Sequence, residues 1–433
     1  MGSAIAYPLT TDQRGAVSTS QGRGWVGLYF VILYLLTLPA LKLQIGLDVR
    51  VGQVMLLVGF VALWLHDLLR REVPWGILLG LVGLGTLLSG ISLSSPYPKV
   101  KEVTFIIKYV ALYPATFYLG YRLLGRMTVA QAVWVLEATL FVACVTSIVL
   151  HYYPVPFLIH ERPEYLSLAL KGSFWEQGSL AFFLGLFFIT ALPLRISETL
   201  WPRNKLYLLA LYGLALGCAL ASRNKSVWLA LGAAFVLAGF LNPGAVTAAY
   251  RFWDRANTRS LRRWGRRFLV LVAVMIPALA LYNASLEPSE KIVTFTMLEH
   301  KWESERGAAL RASLRLIAEE PWFGRGFGFV SAYFGTHDEK VIGLGEDVGN
   351  IFNAFLDMWL SVGVLGLVFS LGLVVLCFDR RSLVAVMVVS YLFVWANLNP
   401  VANSEYYYFF LGLCYAAARS IGVERDSLAV ATG

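Results

Sequence analysis

Stretches of nearly twenty apolar residues recur along this chain, and few folds can accommodate them. A helix needs about 20 residues to cross the hydrocarbon core of a bilayer. Twelve segments approach that length: 25–43, 50–67, 75–94, 102–123, 130–150, 178–197, 205–222, 225–242, 268–284, 360–378, 382–399 and 404–421. Composition agrees with the pattern. The 433 residues are 58% hydrophobic and only 15% charged, whereas soluble domains are about half apolar and a quarter charged. The expected fold class is all-α, a polytopic membrane protein of about twelve transmembrane helices with a helical loop between the ninth and tenth. The third segment carries Gly76, Gly80, Gly83, Gly85 and Gly90, a composition that suits close helix packing.

Lys and Arg set the expected orientation, because cytoplasmic connections carry the excess of positive charge. One set of connections holds fifteen, including Arg70, Arg71, Arg122, Arg126 and the seven arginines of 251–267; the opposite short connections hold seven. The first side is expected in the cytoplasm with both termini. The chain then divides into a cytoplasmic tail (1–24), nine spans (25–284), a periplasmic loop (285–353), three spans (354–421) and a second cytoplasmic tail (422–433). The first 23 residues lack an apolar run, so no cleaved signal peptide is expected. The net charge of +9 is dispersed among apolar spans and does not point to nucleic acid. The run 251–267 reads as a basic amphipathic segment on the inner membrane surface. Cys144, Cys218, Cys377 and Cys414 fall inside apolar segments, as small buried hydrophobes do.

The polar loop is where such a protein can meet a water-soluble ligand. Together with the short connections it presents Lys99, Lys101, Arg162, Lys171, Arg223, Lys225, Arg306, Arg311 and Arg325 on the side where topology disfavours cations. A cluster of that kind suggests an anionic ligand, and a lipid-linked pyrophosphate fits, because Arg forks pair with phosphate oxygens. Ordinary loop charges and headgroup snorkelling are the plainer account. Lys108 lies about two turns inside its span and is a further candidate facing the site. Glu137, nearer the inner end of its helix, is expected to pair with a basic neighbour, and His66 to be structural. Within the loop, 306–320 reads as a helix with Leu310, Leu314 and Ile317 on one face. Pro321 ends it, and Gly324, Gly326 and Gly328 make a turn. Tyr406, Tyr407 and Tyr408 read first as an aromatic belt, and second as a surface on which a sugar stacks.

Several of these features occur in a familiar order. Ser222-Arg223, Lys171-Gly-Ser-Phe174, Arg306, Pro321-Trp-Phe-Gly324-Arg-Gly326-Phe-Gly328, Asn353-Ala-Phe-Leu356 and Gly363-Val-Leu-Gly366 together resemble the signature region of the O-antigen ligase and polymerase family. These are bacterial membrane glycosyltransferases that use polyprenyl-linked donors without a metal. The resemblance implies that Arg223 and Arg306 bind the pyrophosphate of an undecaprenyl-diphosphate-linked glycan, with the lipid bilayer and other polysaccharide-assembly proteins as partners and no nucleic acid. It also implies the bacterial inner membrane and a periplasmic active site. Family ligases carry a His-x-His-Asn run before the helix that follows the loop; here the places read Asn350-Ile-Phe-Asn353. The expected version is therefore an exopolysaccharide or O-antigen polymerase. The alternative is the ligase, which joins the glycan to lipid A-core.

The chemistry can be stated from the residues. A diphosphate is already a good leaving group, and fixed cations neutralise the charge that grows on it. An acceptor hydroxyl must be oriented and lose its proton, which a His or carboxylate can assist. His337, Glu346 and Asp347 are the candidate bases, with Glu176, His300, Asn350 and Asn353 as lesser candidates; ordinary solvated loop residues are the competing reading. No Asp-x-Asp run or His/Cys cluster with ligand spacing occurs in the loop, so neither metal nor cofactor is expected. A transporter or flippase, the rival class, would show internal repeats and broken helices with charge at mid-membrane, and no repeat is evident. A non-catalytic assembly protein is the remaining alternative. The orientation is testable by cysteine accessibility: an impermeant thiol reagent applied outside should label Ser331→Cys and not Ser260→Cys, and the reverse result would invert the topology.

Overall fold

The computed structural model describes residues 19–44, 48–99, 101–159, 170, 172–174, 177–197, 205–224, 226–242, 306–336, 353–399 and 404–432. The helices among them are α1 (Thr19–Leu36), α2 (Val51–Leu69), α3 (Trp75–Ser94), α4 (Glu102–Arg126), α5 (Val129–Tyr152), α6 (Gln177–Ser197), α7 (Lys205–Ala221) and α8 (Ser226–Leu241). After the loop come α9 (Arg306–Glu319), α10 (Phe329–Thr336), α11 (Ala354–Cys377), α12 (Leu383–Leu398) and α13 (Glu405–Thr432). A two-stranded antiparallel ribbon, β1 (Lys42–Gln44) with β2 (Asp48–Arg50), joins α1 to α2. The fold is thus helical with one small ribbon, where an all-α chain was expected.

Among the described residues six helices are long and apolar enough to cross a membrane: α2, α3, α4, α5, Gly178–Arg195 of α6, and α11. Gly24–Leu36, Tyr207–Ala221, Ser226–Leu241 and Leu383–Leu398 are shorter apolar helices. The chain is a multi-pass membrane protein. The expected segment 268–284 lies outside the described residues. The first segment was expected to reach residue 43, but the helix stops at Leu36, and Pro39, which lacks an amide proton, stands in the turn that leads into the ribbon. The tenth segment was expected from 360, but α11 starts earlier because Asn353 caps it, its Oδ1 accepting from the amides of Phe355 and Leu356.

The bundle centres on α4 against α13. Gly120 and Gly412 permit the approach: a Cβ at Gly120 would lie 1.8 Å from the Phe409 carbonyl oxygen, and one at Gly412 would lie 2.1 Å from that of Phe117. Around this pair α12 packs on α6 and α8, and α5 packs on α1, α6 and α7. The glycines of α3 behave differently from expectation. Only Gly85 makes a close approach, to the Tyr109 carbonyl; Cβ atoms at Gly76, Gly80, Gly83 and Gly90 would meet nothing within 4 Å. Their face of the helix is open.

Within α4 the residues Lys108–Leu112 form a π-turn. Pro114 has no N–H to give the Val110 carbonyl, and the wider turn accommodates the lost bond. Two buried acids inside the bundle are paired with arginines. Glu137 accepts from Arg195 and from the Tyr212 hydroxyl, the latter at 2.7 Å, so the expected basic neighbour is Arg195. Asp67, fully buried, meets Tyr118, Arg122 and Arg126, and Glu72 joins the same two arginines. His66 stands 3.5 Å from Asp67. All four cysteines are buried and free. The belt expected at Tyr406–Tyr408 is not one: all three side chains are buried, Tyr408 stacked on Tyr113 at 4.1 Å and Tyr406 edge-on to Phe183 at 5.2 Å. Tucking under the neighbouring helices removes them from any interface.

The α4–α13 contact generates a stability test. Gly120→Ala and Gly412→Ala each force overpacking, expected to cost about 1–3 kcal/mol. Both should lower the thermal unfolding midpoint in detergent, while Gly213→Ala, where a Cβ meets nothing within 4 Å, should leave it unchanged.

Candidate functional site

The sequence motifs converge on two constructions at one end of the bundle. The first is the turn between α7 and α8. Ser222 is fully buried, its hydroxyl donating to the Ala219 carbonyl at 2.6 Å. Arg223 follows in the left-handed region, φ 55°, with its amide donating to Leu220. A non-glycine residue held there is an uncommon conformation. Asn224 then accepts from the Ser226 amide and starts α8. Leu170 meets this turn, its N–H donating to the Ala221 carbonyl at 3.0 Å, and Ser173 Oγ accepts from the Ala40 amide; Lys171 lies outside the described residues. Gly172, at φ 59°, is required there, because a Cβ would lie 2.4 Å from Ser147 Oγ. So Leu170, just before the Gly-Ser-Phe motif, is bonded to Ala221, just before the Ser-Arg motif. The Arg223 side chain is exposed, and among the described residues no carboxylate pairs with it.

The second construction is the loop 321–328 set into a break in α11. At Val362 and Gly363 the helix leaves helical geometry, Gly363 with φ 71°. The loop supplies the missing partners: Arg325 N–H donates to the Leu360 carbonyl and Gly326 N–H to that of Ser361, both at 2.7 Å, while Val364 N–H donates to the Pro321 carbonyl at 3.1 Å. Trp359 Nε1 donates to the same Pro321 oxygen at 2.9 Å. Backbone runs against backbone, so side chains are excluded. A Cβ at Gly324 would lie 2.4 Å from the Gly363 nitrogen, and one at Gly363 1.9 Å from the Trp322 oxygen.

From this junction Phe327 reaches into the bundle. Its ring stacks on Tyr109 at 4.6 Å, Tyr109 meets Tyr113 edge-on at 5.0 Å, and Tyr113 stacks on Tyr408. The Phe327 amide donates to Ser92 Oγ at 2.8 Å, and Ser92 in turn donates to Glu102. Lys99 is consumed here, its ammonium bonded to the Ser92 and Ser95 carbonyls and to Glu102 at 2.9 Å. Arg325 is consumed as well. Its guanidinium pairs with Glu319 at 2.6 Å and lies over the rings of Tyr97 (4.6 Å) and Phe329 (5.3 Å). Tyr97 donates to Glu320, and that bond, reinforced by burial, raises its phenol above the ordinary range. Leu316, Ile317, Phe329, Val330 and Leu360 form a small second core under these groups. The buried stripe of α9 is Ala309, Ser313, Leu316 and Ile317, with Leu314 half exposed; the face is rotated from the expected Leu310, Leu314, Ile317. The i, i+4, i+7 spacing holds for the observed set too, with Ala and Ser as the small members.

The remaining candidates divide as follows. Arg306 is the first residue of α9, and its side chain lies outside what is described. Arg311 is on the exposed face of α9. Asn353 caps α11, and its Nδ2 donates to Asn397 at 3.2 Å. Glu176, Lys225, His337, Glu346, Asp347 and Asn350 lie outside the described residues, as does His300. Lys108 begins the π-turn, and among the described residues no hydrogen bond reaches its ammonium. It shares the field of Glu405 with Arg50. Glu405 itself was missed by the sequence reading. It is buried, accepts a 2.5 Å bond from Gln53 Nε2, and stands 4.0 Å from Arg50. The only signal was an acid placed directly before three tyrosines. Among the described residues no group of three His, Cys, Asp or Glu side chains has metal-binding geometry.

The loop–helix junction can be tested directly. Gly363→Ala combines a left-handed alanine, costing about 1–3 kcal/mol, with a backbone collision. Opening of the loop should rise roughly tenfold or more, seen as faster proteolysis within 321–328. Gly372→Ala, in open space on the same helix, should behave as wild type.

A family model described as O-antigen ligase matches residues 210–371. That span runs from α7 through the Arg223 turn and α9 to the break in α11 and beyond it. No curated protein matches the chain.

Proposed function

From residues 210–371, which match the O-antigen ligase family, we propose that this membrane protein transfers a glycan from a polyprenyl-diphosphate carrier to a sugar acceptor on the periplasmic side of the bacterial inner membrane. One observation carries the reading: both constructions of the site fall inside the matched span. The motif preference for a polymerase is set aside, since the matching description is that of a ligase; the ligase reading is the better supported of the two. Lipid A-core is then the acceptor class.

In this reading the exposed Arg223 takes the diphosphate. Its turn is held by the Leu170–Ala221 bond and by buried Ser222, so the guanidinium stem starts from a fixed point. Arg306 at the head of α9 supplies the second fork, and α9 is itself anchored through the junction with α11. Lys108, with Arg50 beside it, adds positive potential at the same end of the bundle. Cations fixed before the reaction stabilise charge growing on the leaving phosphate without reorganising, and this needs no metal. Arg325 and Asn353 serve the fold. Proton removal from the acceptor falls to the loop residues His337, Glu346 or Asp347, with Glu176 as a further candidate.

Turnover of a defined lipid-linked donor tests the clamp. Arg223→Ala and Arg306→Ala should each lower kcat/KM by roughly 30- to 1000-fold, about 2–4 kcal/mol of transition-state stabilisation. Lys at either position should restore only part, because it lacks the planar fork. Near wild-type rates in both Ala variants, with normal expression and folding, would eliminate the clamp.

A further inference from the structure

Trp322 and Phe323 are out of place for a loop that stands in water. Their side chains are 67% and 66% exposed, although the residues that follow, Gly324 to Phe329, are all buried. The backbone has no freedom to turn these two rings inward. The Pro321 carbonyl holds Val364 N–H and Trp359 Nε1. The Trp322 carbonyl and the Phe323 amide lie where a side chain at Gly363 would stand. With α11 behind the backbone, the rings face away from the protein.

Two rulers give the depth of the loop. Beyond the break, residues 364–377 of α11 span about 21 Å at 1.5 Å per residue, and Asp379, Arg380 and Arg381 follow at once. The hydrocarbon core is about 30 Å thick. With those charges at one surface, the break is still inside the core, toward the opposite edge. On α3, Ser92 holds the Phe327 amide and is bonded to Lys99 and Glu102. That charged pair marks the polar boundary at the level of the loop. The loop therefore sits where acyl chains meet headgroups. Just past the break, Leu365 and Val368 are exposed on α11 and face lipid. Trp322 and Phe323 continue that surface.

The helix α9 extends it. Opposite its buried stripe α9 exposes Arg311, Leu314, Arg315 and Ala318, whose i, i+3, i+4, i+7 spacing puts them on one face. Apolar side chains mixed with arginines suit a helix that lies in the interface, its guanidiniums reaching headgroup phosphates. A sugar is the other partner that exposed rings accept, but a stacked sugar also needs hydrogen-bonding groups at its rim. The adjacent acids are engaged elsewhere, Glu319 by Arg325 and Glu320 by Tyr97.

We propose that Trp322 and Phe323 form a wedge inserted into the bilayer, seating the loop and α9 in the phospholipid leaflet on their side. The indole, apolar with one polar N–H, suits the boundary, and the phenyl ring the acyl chains beneath it. The loop is then held in the break of α11 from two directions, by backbone hydrogen bonds on one side and by lipid on the other.

The experiment places the photoreactive residue p-benzoylphenylalanine at position 322, 323 or 368 of the full chain. Each protein is illuminated in nanodiscs of phosphatidylethanolamine and phosphatidylglycerol, with a soluble oligosaccharide in the buffer, and its adducts are identified by mass spectrometry. Positions 322 and 323 should give phospholipid adducts in yields comparable to those at 368, and fragmentation should place the bond at 323 on an acyl chain. Lipid adducts at 368 with none at 322 and 323 overturn the proposal. So do adducts of the oligosaccharide, or crosslinks within the chain, in place of lipid at both positions. A second measurement leaves the chain without the probe. Proteolysis within 321–328 in nanodiscs should be severalfold faster for Trp322→Ser with Phe323→Ser than for Trp322→Leu with Phe323→Leu, which should match the wild type. Equal rates in the two pairs count against the wedge.

Discussion

A backbone amide or carbonyl left without a partner in hydrocarbon costs several kcal/mol, and this architecture answers to that constraint at the break in α11. Opening a helix at Val362–Gly363 frees the carbonyls of Leu360 and Ser361 and the amide of Val364. The loop 321–328 returns all three bonds. The irregular segments therefore satisfy each other, and neither geometry is available to the chain without the other. Glycines at 324 and 363 follow from the arrangement, since two backbones cannot meet at that distance with side chains between them.

The rest of that end is organised from this junction. Phe327 carries it into the bundle through Tyr109, Tyr113 and Tyr408, a line of rings that joins the loop to α4 and α13. Gln53 fixes α2 to α13, accepting from the Arg50 amide with one end of its carboxamide and donating to Glu405 with the other. Glu405 is buried and held by Gln53, with Arg50 at 4.0 Å on its more exposed side, so the acid is a fixed feature of the framework. The Asp67 network does the same work where α2 and α4 end together. Polar side chains cap both ends of the bundle, and aromatic rings fill the length between.

Much of this was legible in the chain and some was not, for reasons that differ by residue. Among the described residues most helix positions followed from apolar length, because hydrocarbon admits few alternatives, while the ends near Pro39 and Asn353 did not. The Ser222-Arg223 turn and the glycine-rich loop were visible as interruptions of that pattern. The use of each charge was not, since Arg223 and Arg325 look alike in sequence. Arg325 is bound by Glu319, six residues away, and by rings that only folding brings over it; Arg223 is left exposed by a turn. The glycines of α3 were misread for a similar reason. Small residues permit a close neighbour or leave a vacancy, and only the position of α11 decides which. Tyr406–Tyr408 suit an interface by type, yet the helix that bears them is central.

The mutual dependence of loop and broken helix also fixes an order of events in biosynthesis. Residues 321–328 leave the ribosome before α11, so a partner for the break is already made when that helix emerges. The reverse arrangement would expose an opened helix to lipid while it waited. The chain thus settles this region in the direction in which it is translated. Separating the two segments by a long insertion after α10 would lengthen the interval in which the opened turn has no partner, and would give quality-control proteases their first point of attack on the newborn protein.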